Sequence, residues 1–313
     1  MTGPPLRAGL IGLGVMGCRH ARVLQSLPGV TLVGAVDPAG DRYRAVTGTP
    51  VVATTDELLT LGIDYAVLAC PTSLHEAIGL KLAAHALPVL IEKPLAASAA
   101  AAQRLQAAFA AATVPAAVGH IERFHPALQA LRTHLRTGKL GTIHYVATRR
   151  QGPRPRRITD VGVLQDTAVH DIDTTQWLTG DTYTALDTHV RRCANRPHED
   201  LAVLAGRLTG GSVTSHVVSW LSPFRERLTT VTGDRGCLHA DTLTERLTYH
   251  PHHGSSTHIP LPSREPLLAE HLAFHALLRT GRTDVLATLE EGALVVAHLQ
   301  SALQRSRRPG TGH

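Results

Sequence analysis

Lysine is nearly missing from this chain. Of its 31 lysines and arginines only Lys81, Lys93 and Lys139 are lysines, so almost all positive charge is guanidinium and a lysine inside a motif stands out. Aromatic residues are also sparse, at 4%, too few to interleave a basic surface with the stacking platforms that hold single-stranded nucleic acid. The net charge of +6 therefore reads as provision for a small phosphorylated ligand, and no nucleic-acid partner is expected.

The four cysteines, Cys18, Cys70, Cys193 and Cys237, fall in no C-x-x-C spacing. That speaks against a disulfide framework and against a thiolate metal site, and it fits a reducing compartment. No stretch reaches the roughly 18 uncharged apolar residues of a membrane span, and no basic segment precedes the first apolar run. A cytoplasmic protein without a membrane partner or a leader is expected. There is no internal repeat and no long linker.

What the chain does have is length and apolar content for two cores: 313 residues, 43% hydrophobic and 18% charged. Short apolar runs at 6–11, 31–36, 65–70, 88–91 and 115–118 alternate with helical segments at 20–27, 75–86 and 99–112, the last opening at Ser98 as N-cap. Strand and helix in alternation predict a doubly wound α/β domain over 1–118. From 119 the pattern changes. A helix at 126–136 precedes longer alternating runs at 143–149, 201–208, 213–220, 227–232 and 236–240, and Thr-Gly-Gly-Ser joins 201–208 to 213–220 as a hairpin. The expected class is α/β: a dinucleotide-binding domain, then a domain over 119–313 with a large, open, mainly antiparallel sheet. Helices return at 267–278 and 289–303, and 304–313 reads as a frayed tail. An open sheet face suggests a homodimer or homotetramer formed through that face, and this second domain is expected to bind substrate.

The first apolar run leads into Gly12-Leu13-Gly14-Val15-Met16-Gly17 and then a helix. Gly12 allows the tight turn, Gly14 lets backbone approach a pyrophosphate, and Gly17 lets helix pack on strand, while the amides about Val15 and Met16 face the anion. Asp37 follows the second run, 20 residues past Gly17, where a carboxylate binds the adenosine ribose hydroxyls and repels a ribose phosphate. NAD is the expected cofactor. Arg42 and Arg44 keep NADP open.

Glu92-Lys93-Pro94 closes the fourth apolar run, at the sheet edge where such folds bind ligands. A lysine there can polarise or protonate a carbonyl oxygen. In the second part, Asp166 to Trp177 reads as one helix with 166, 170, 173 and 177 on a common face, placing a carboxylate beside His170. His170 titrates near neutrality and can take a hydroxyl proton while Asp166 orients the ring. No third ligand converges with these two, so no metal is expected. Arg149, Arg150, Arg154, Arg156 and Arg157 fall within nine residues and read as a proline-stiffened loop able to grip a phosphate or diphosphate.

Taken in order, the glycine turn, Asp37, Glu92-Lys93-Pro94 and Asp166-x-x-x-His170 resemble the Gfo/Idh/MocA oxidoreductases along nearly the whole chain. Pro71-Thr-Ser-Leu-His75, Gly119-His-Ile-Glu-Arg-Phe-His-Pro126 and Leu289-Glu-Glu-Gly292 add to the likeness. The resemblance implies a Rossmann domain, catalytic Lys93 and His170 supported by Asp166, cofactor contacts from Pro71, Thr72, His75 and Glu92, and substrate contacts that include Arg123, Arg150, Arg154 and Arg157. Asp-Thr-x-x-His is similar to inositol dehydrogenases; Gly-His-Ile-Glu-Arg-Phe and the arginine segment are similar to UDP-N-acetylglucosamine 3-dehydrogenases. His125 and Thr167 depart from the second group. The function so implied is hydride transfer between nicotinamide and a secondary alcohol or ketone carbon of a sugar, nucleotide sugar or cyclitol, with secondary-metabolite biosynthesis as a setting. A dinucleotide-binding sensor, and an enzyme that recycles bound nicotinamide in a net isomerisation or elimination, are the competing readings.

Overall fold

The apolar runs at the head of the chain become strands buried on both faces. In the computed structural model, which describes residues 4–155, 158, 161–193, 197–282 and 285–306, Leu6–Ile11 (β1), Val30–Val36 (β2), Val51–Val52 (β3), Tyr65–Leu68 (β4), Val89–Glu92 (β5) and Ala116–Gly119 (β6) form a sheet in which every pairing is parallel. The order is β3-β2-β1-β4-β5-β6. Growth reverses between β1 and β4, so a crevice opens outside their carboxyl ends, the place where open α/β sheets bind ligands. Connecting helices are Val15–Ser26 (α1), Thr55–Thr60 (α2), His75–Ala84 (α3) and Ala99–Ala112 (α4). Ser98 accepts the Ala101 amide at 3.2 Å and caps α4 as the sequence suggests. β3 and α2 are too short to leave a periodic signal, and neither is legible beforehand.

Pro126–Arg136 (α5) begins the elements of a second sheet. Ile143–Pro153 (β7) follows, then a π-helical turn over Leu164–Ala168, helix Val169–Thr179 (α6), and strands Tyr183–Arg191 (β8), Leu201–Leu208 (β9), Val213–Ser219 (β10), Leu221–Gly233 (β11), Gly236–Asp241 (β12), Arg246–Pro251 (β13) and Thr257–Ile259 (β14). Their order is β14-β13-β12-β11-β7-β10-β9-β8, antiparallel throughout except where β10 runs parallel to β7. Alternation decides the faces. Val146, Thr148 and Arg150 of β7 and Thr214, His216 and Val218 of β10 are buried, whereas Tyr145 and Val213 beside them are exposed.

Pro266–Thr280 (α7) and Leu289–Ser306 (α8) complete the chain. Residues 304–306, expected to fray, continue α8, and 307–313 lie outside the described residues. Contacts divide the chain into a unit of Met1–Ile121 with Glu265–Val296 and a unit of Glu122–Arg264 with Ala297–His313. The break near the end of β6 lies close to the expected one, but 265–296 group with the first unit. An antiparallel bridge from Val118 to Ala287 and the 2.7 Å approach that any Cβ on Gly292 would make to Val118 show why: this segment packs on β6.

Candidate active site

The glycine turn is built around two close approaches. Gly12 sits at φ +97°, and a Cβ there would lie 2.7 Å from the Cys70 amide nitrogen; one on Gly17 would lie 1.9 Å from the Gly12 carbonyl oxygen. Gly14 differs, since a Cβ there meets nothing within 4 Å. Space is open in front of α1, whose N-cap is Gly14, with no side-chain cap and no acidic residue in the first turn. The first amides of a helix have no intrahelical acceptor, and the helix end carries partial positive charge. These features fit the pyrophosphate of a dinucleotide.

Asp37 stands directly after β2. Its Oδ2 accepts the Leu13 amide at 2.9 Å and its Oδ1 accepts the Ala39 amide at 2.9 Å, so the carboxylate is fixed beside the glycine turn with lone pairs left for ribose hydroxyls. Arg42 and Arg44 are exposed nearby in the chain. Pro71 and Thr72 begin the short turn after β4, with Pro71 exposed. Gly12, Asp37, Pro71 and Lys93 thus all follow carboxyl ends of parallel strands in one sheet, as the sequence implies.

His75 is buried among backbone oxygens. It is 1% exposed, its Nδ1 lies 3.1 Å from the Pro94 oxygen and 3.3 Å from the Leu95 oxygen, and its Nε2 lies 3.1 Å from the Cys70 oxygen. The ring bridges the Cys70 and Pro94 segments. Glu92, the last residue of β5, is likewise 6% exposed; its Oε2 accepts the Lys93 amide at 3.0 Å and its Oε1 lies 2.9 Å from His20 Nε2. Lys93 is half-buried, and its bond to Pro94 is cis.

In the second unit Asp166 and His170 flank the junction of the π-turn and α6, both half-buried. The expected single helix from Asp166 is corrected: the wider π-turn shifts Asp166 out of the α-helical phase in which 166, 170, 173 and 177 would align. Asp173 is 1% exposed and bonded to Arg123, and Trp177 stacks under Arg132 at 4.4 Å.

Two arginines assigned to substrate are engaged elsewhere. Arg123 is 2% exposed and donates to both oxygens of Asp173. Arg150 lies in β7, not in a loop, because the strand runs on to Pro153; its Nη1 donates to Glu122 at 2.9 Å and its Nε to Asp171 at 3.3 Å. Burial favours neutral carboxyls, yet the Arg150 charge and hydrogen bond outweigh it at Glu122 and hold that group down to about 2, while burial leaves Asp171 up at about 6. Arg154 remains a candidate: half-buried, it donates to the Ile158 oxygen at 3.1 Å and lies 5.8 Å over the Trp220 ring. Arg156 and Arg157 lie outside the described residues.

The sequence reading missed His20, His271, Asp171 and Asp173. His20 had a signal, since it follows Gly17 by three positions on the face of α1 that buries Ala21 and Leu24. Among the described residues no three His, Cys, Asp or Glu side chains gather as a metal cluster, and no helix is long and apolar enough to cross a membrane.

Residues 6–120 match the model of an oxidoreductase family with an NAD-binding Rossmann fold, Gfo/Idh/MocA, and residues 128–239 match the Gfo/Idh/MocA C-terminal domain. The chain is 35% identical over 206 residues to inositol 2-dehydrogenase 4 of Saccharopolyspora erythraea, covering 63% of this chain and 61% of that protein. It is 31% identical over 178 residues to the UDP-N-acetylglucosamine 3-dehydrogenase of Acidithiobacillus ferrooxidans, covering 56% and 55%. These matches span less than two thirds of the relatives' length. The solved structure of GnnA, the UDP-N-acetylglucosamine 3-dehydrogenase of that bacterium, superposes with TM-score 0.86 at 26% identity over 97% of both chains.

Proposed function

The chain belongs to the Gfo/Idh/MocA oxidoreductase family, and from that premise we propose that it is an NAD-dependent dehydrogenase or reductase acting on the secondary hydroxyl or ketone carbon of a sugar, nucleotide sugar or cyclitol. The observation that carries the reading is the carboxyl edge of the first sheet, where the uncapped start of α1, the fixed Asp37 carboxylate and Lys93 follow β1, β2 and β5 of one parallel sheet. NAD is preferred because a ribose phosphate would meet Asp37 at a cost of several kcal/mol. When bound, the nicotinamide accepts or returns a hydride.

The residues divide the remaining work. In oxidation His170 takes the hydroxyl proton as hydride leaves the same carbon; in reduction the proton returns to the oxygen, with Lys93 polarising the carbonyl. Asp166 supports His170. Of the arginine segment, Arg154 is the residue we assign to meet a phosphate. The relatives named for inositol and for UDP-N-acetylglucosamine motivate the two substrate classes. Association of copies through the exposed face of the second sheet belongs to the same proposal.

The test is growth of the reduced-nicotinamide absorbance with NAD or NADP and a panel of cyclitols, sugar phosphates and UDP-sugars. Turnover with one class, lost in Lys93→Met and His170→Ala while NAD still binds, supports the proposal. Both variants turning over like the parent would overturn the assignment of the site, and NAD binding without turnover or reduced product would favour a sensor or a recycling enzyme.

A further inference from the structure

Behind Lys93 lies a chain of buried polar groups that hydride transfer does not itself require. Glu92 Oε1 is 2.9 Å from His20 Nε2, and His20 Nδ1 is 2.8 Å from His271 Nε2. The three side chains come from β5, α1 and α7, and their exposures are 6%, 0% and 2%. α1 is the helix that the glycine turn feeds, so one network joins the pyrophosphate-facing helix to the residue before Lys93. Glu270, beside His271 on α7, is 0% exposed and neither of its carboxyl oxygens has a partner among the described residues.

Proton counting restricts the states available. An ionised carboxylate only accepts, so His20 Nε2 carries the hydrogen in its bond to Glu92. Burial, with His20 adding, holds His271 well below the usual imidazole range, and burial, with the Glu92 charge adding, holds Glu270 well above the usual carboxyl range, so both are biased toward their neutral forms. Burial alone would push Glu92 up, but the His20 hydrogen bond and the charges of His20 and Lys93 prevail and hold it below the usual carboxylate range. His75 of α3, lying against the Pro94 and Leu95 oxygens, is the other titratable group that feels this charge. Glu92 is therefore a fixed anion next to Lys93, and His20 is what fixes it.

We infer that His20 is a positioning residue for Lys93: it clamps the Glu92 carboxylate against the Lys93 amide and so sets the charge that Lys93 experiences, with His271 selecting the ring state of His20. The inference rests on the reading of Lys93 as a proton-handling group, but its test does not need turnover. With only three lysines, the pH dependence of acylation by acetic anhydride can be followed at each by mass spectrometry. Lys81, paired with Asp56 at 2.8 Å, and Lys139, 4.3 Å over the Tyr249 ring, serve as internal controls.

His20→Ala and Glu92→Gln should each move the Lys93 labelling midpoint downward, the direction in which losing a neighbouring anion moves a lysine. The double variant should move it no further than Glu92→Gln, because His20 acts through Glu92. His20→Gln keeps an N–H donor and should leave the midpoint near that of the parent. If His20→Ala does not fold, His20→Met fills the volume without a donor and replaces it. An unmoved midpoint in the folded His20 variant, or additive shifts in the double variant, overturns the inference. Failure of the functional reading shows separately, as undiminished turnover in Lys93→Met.

Discussion

Arg123 donates to both oxygens of Asp173, Nε to Oδ2 at 3.0 Å and Nη2 to Oδ1 at 2.6 Å, with the two side chains 3% and 1% exposed. A buried fork of this kind holds the short helical turn Ile121–Phe124 and α6 in register, and removing one partner breaks these charge-assisted bonds in a low-dielectric interior. Asp173→Asn should therefore cost about 3–5 kcal/mol. Both tryptophans, Trp177 and Trp220, belong to the second unit, so their fluorescence during urea unfolding reports on it. A raised substrate KM without loss of stability would instead return Arg123 to the substrate.

Arg150 serves two carboxylates, which predicts opposite pH behaviour in their amides. Glu122 is held down to about 2 by Arg150 against its burial, so its contribution is present above the unfolded value of about 4.3 and is lost as pH falls from there to about 2. Asp171 is held up to about 6, so the folded state binds the extra proton and stability falls as pH rises from about 4 to about 6. Glu122→Gln should cost about 3 kcal/mol at pH 7, with the cost fading in acid. Asp171→Asn should cost less at pH 7 and flatten the slope between pH 4 and 6. Unfolding midpoints across pH 3 to 8 separate the two.

The glycine turn offers a contrast between binding and folding. The open space at Gly14 accepts a side chain, so Gly14→Asp should fold while its carboxylate occupies the anion's place and weakens NAD binding by at least about 30-fold, a few kcal/mol of like-charge repulsion. Gly17→Ala drives a methyl to 1.9 Å from the Gly12 oxygen and should destabilise the first unit by about 2 kcal/mol or more. Thermal melting and NAD titration of both proteins check the split; unchanged NAD affinity in the Gly14→Asp variant would remove the dinucleotide from α1.

These contrasts show what the linear chain made legible. Gly12 to Gly17, Asp37 and Glu92-Lys93 could be placed at the carboxyl ends of strands because each is a short local pattern beside an apolar run. The parallel order of the first sheet followed from strand and helix in alternation. Arg150 was misread as loop because Pro153 and Pro155 look like breakers, although Pro153 only ends β7. Arg123 and Asp173 are separated by 50 residues and His20 and His271 by 251, and no local pattern announces partners at such range. The buried carboxylate partners of Arg123 and Arg150 were therefore not legible beside the substrate role that the resemblance implied.

Glu270 gives the prediction with the clearest sign. Burial, with the charge of Glu92 adding, raises its carboxyl well above the usual range, while the unfolded chain releases the same proton near pH 4.3. Above that pH the folded state holds one more proton than the unfolded state, so stability falls as pH rises, by at most about 1.4 kcal/mol per pH unit, until the folded carboxyl ionises. Glu270→Gln keeps the shape of the neutral acid and has no proton to lose. The variant and the parent should unfold alike near pH 4, with the variant increasingly the more stable toward pH 8. Far-UV circular dichroism in urea follows this transition, since the first unit contains no tryptophan. A variant less stable by the same margin at every pH would show that Glu270 is an ionised partner in the fold, and the neutral carboxyl beside His271 would have to be abandoned.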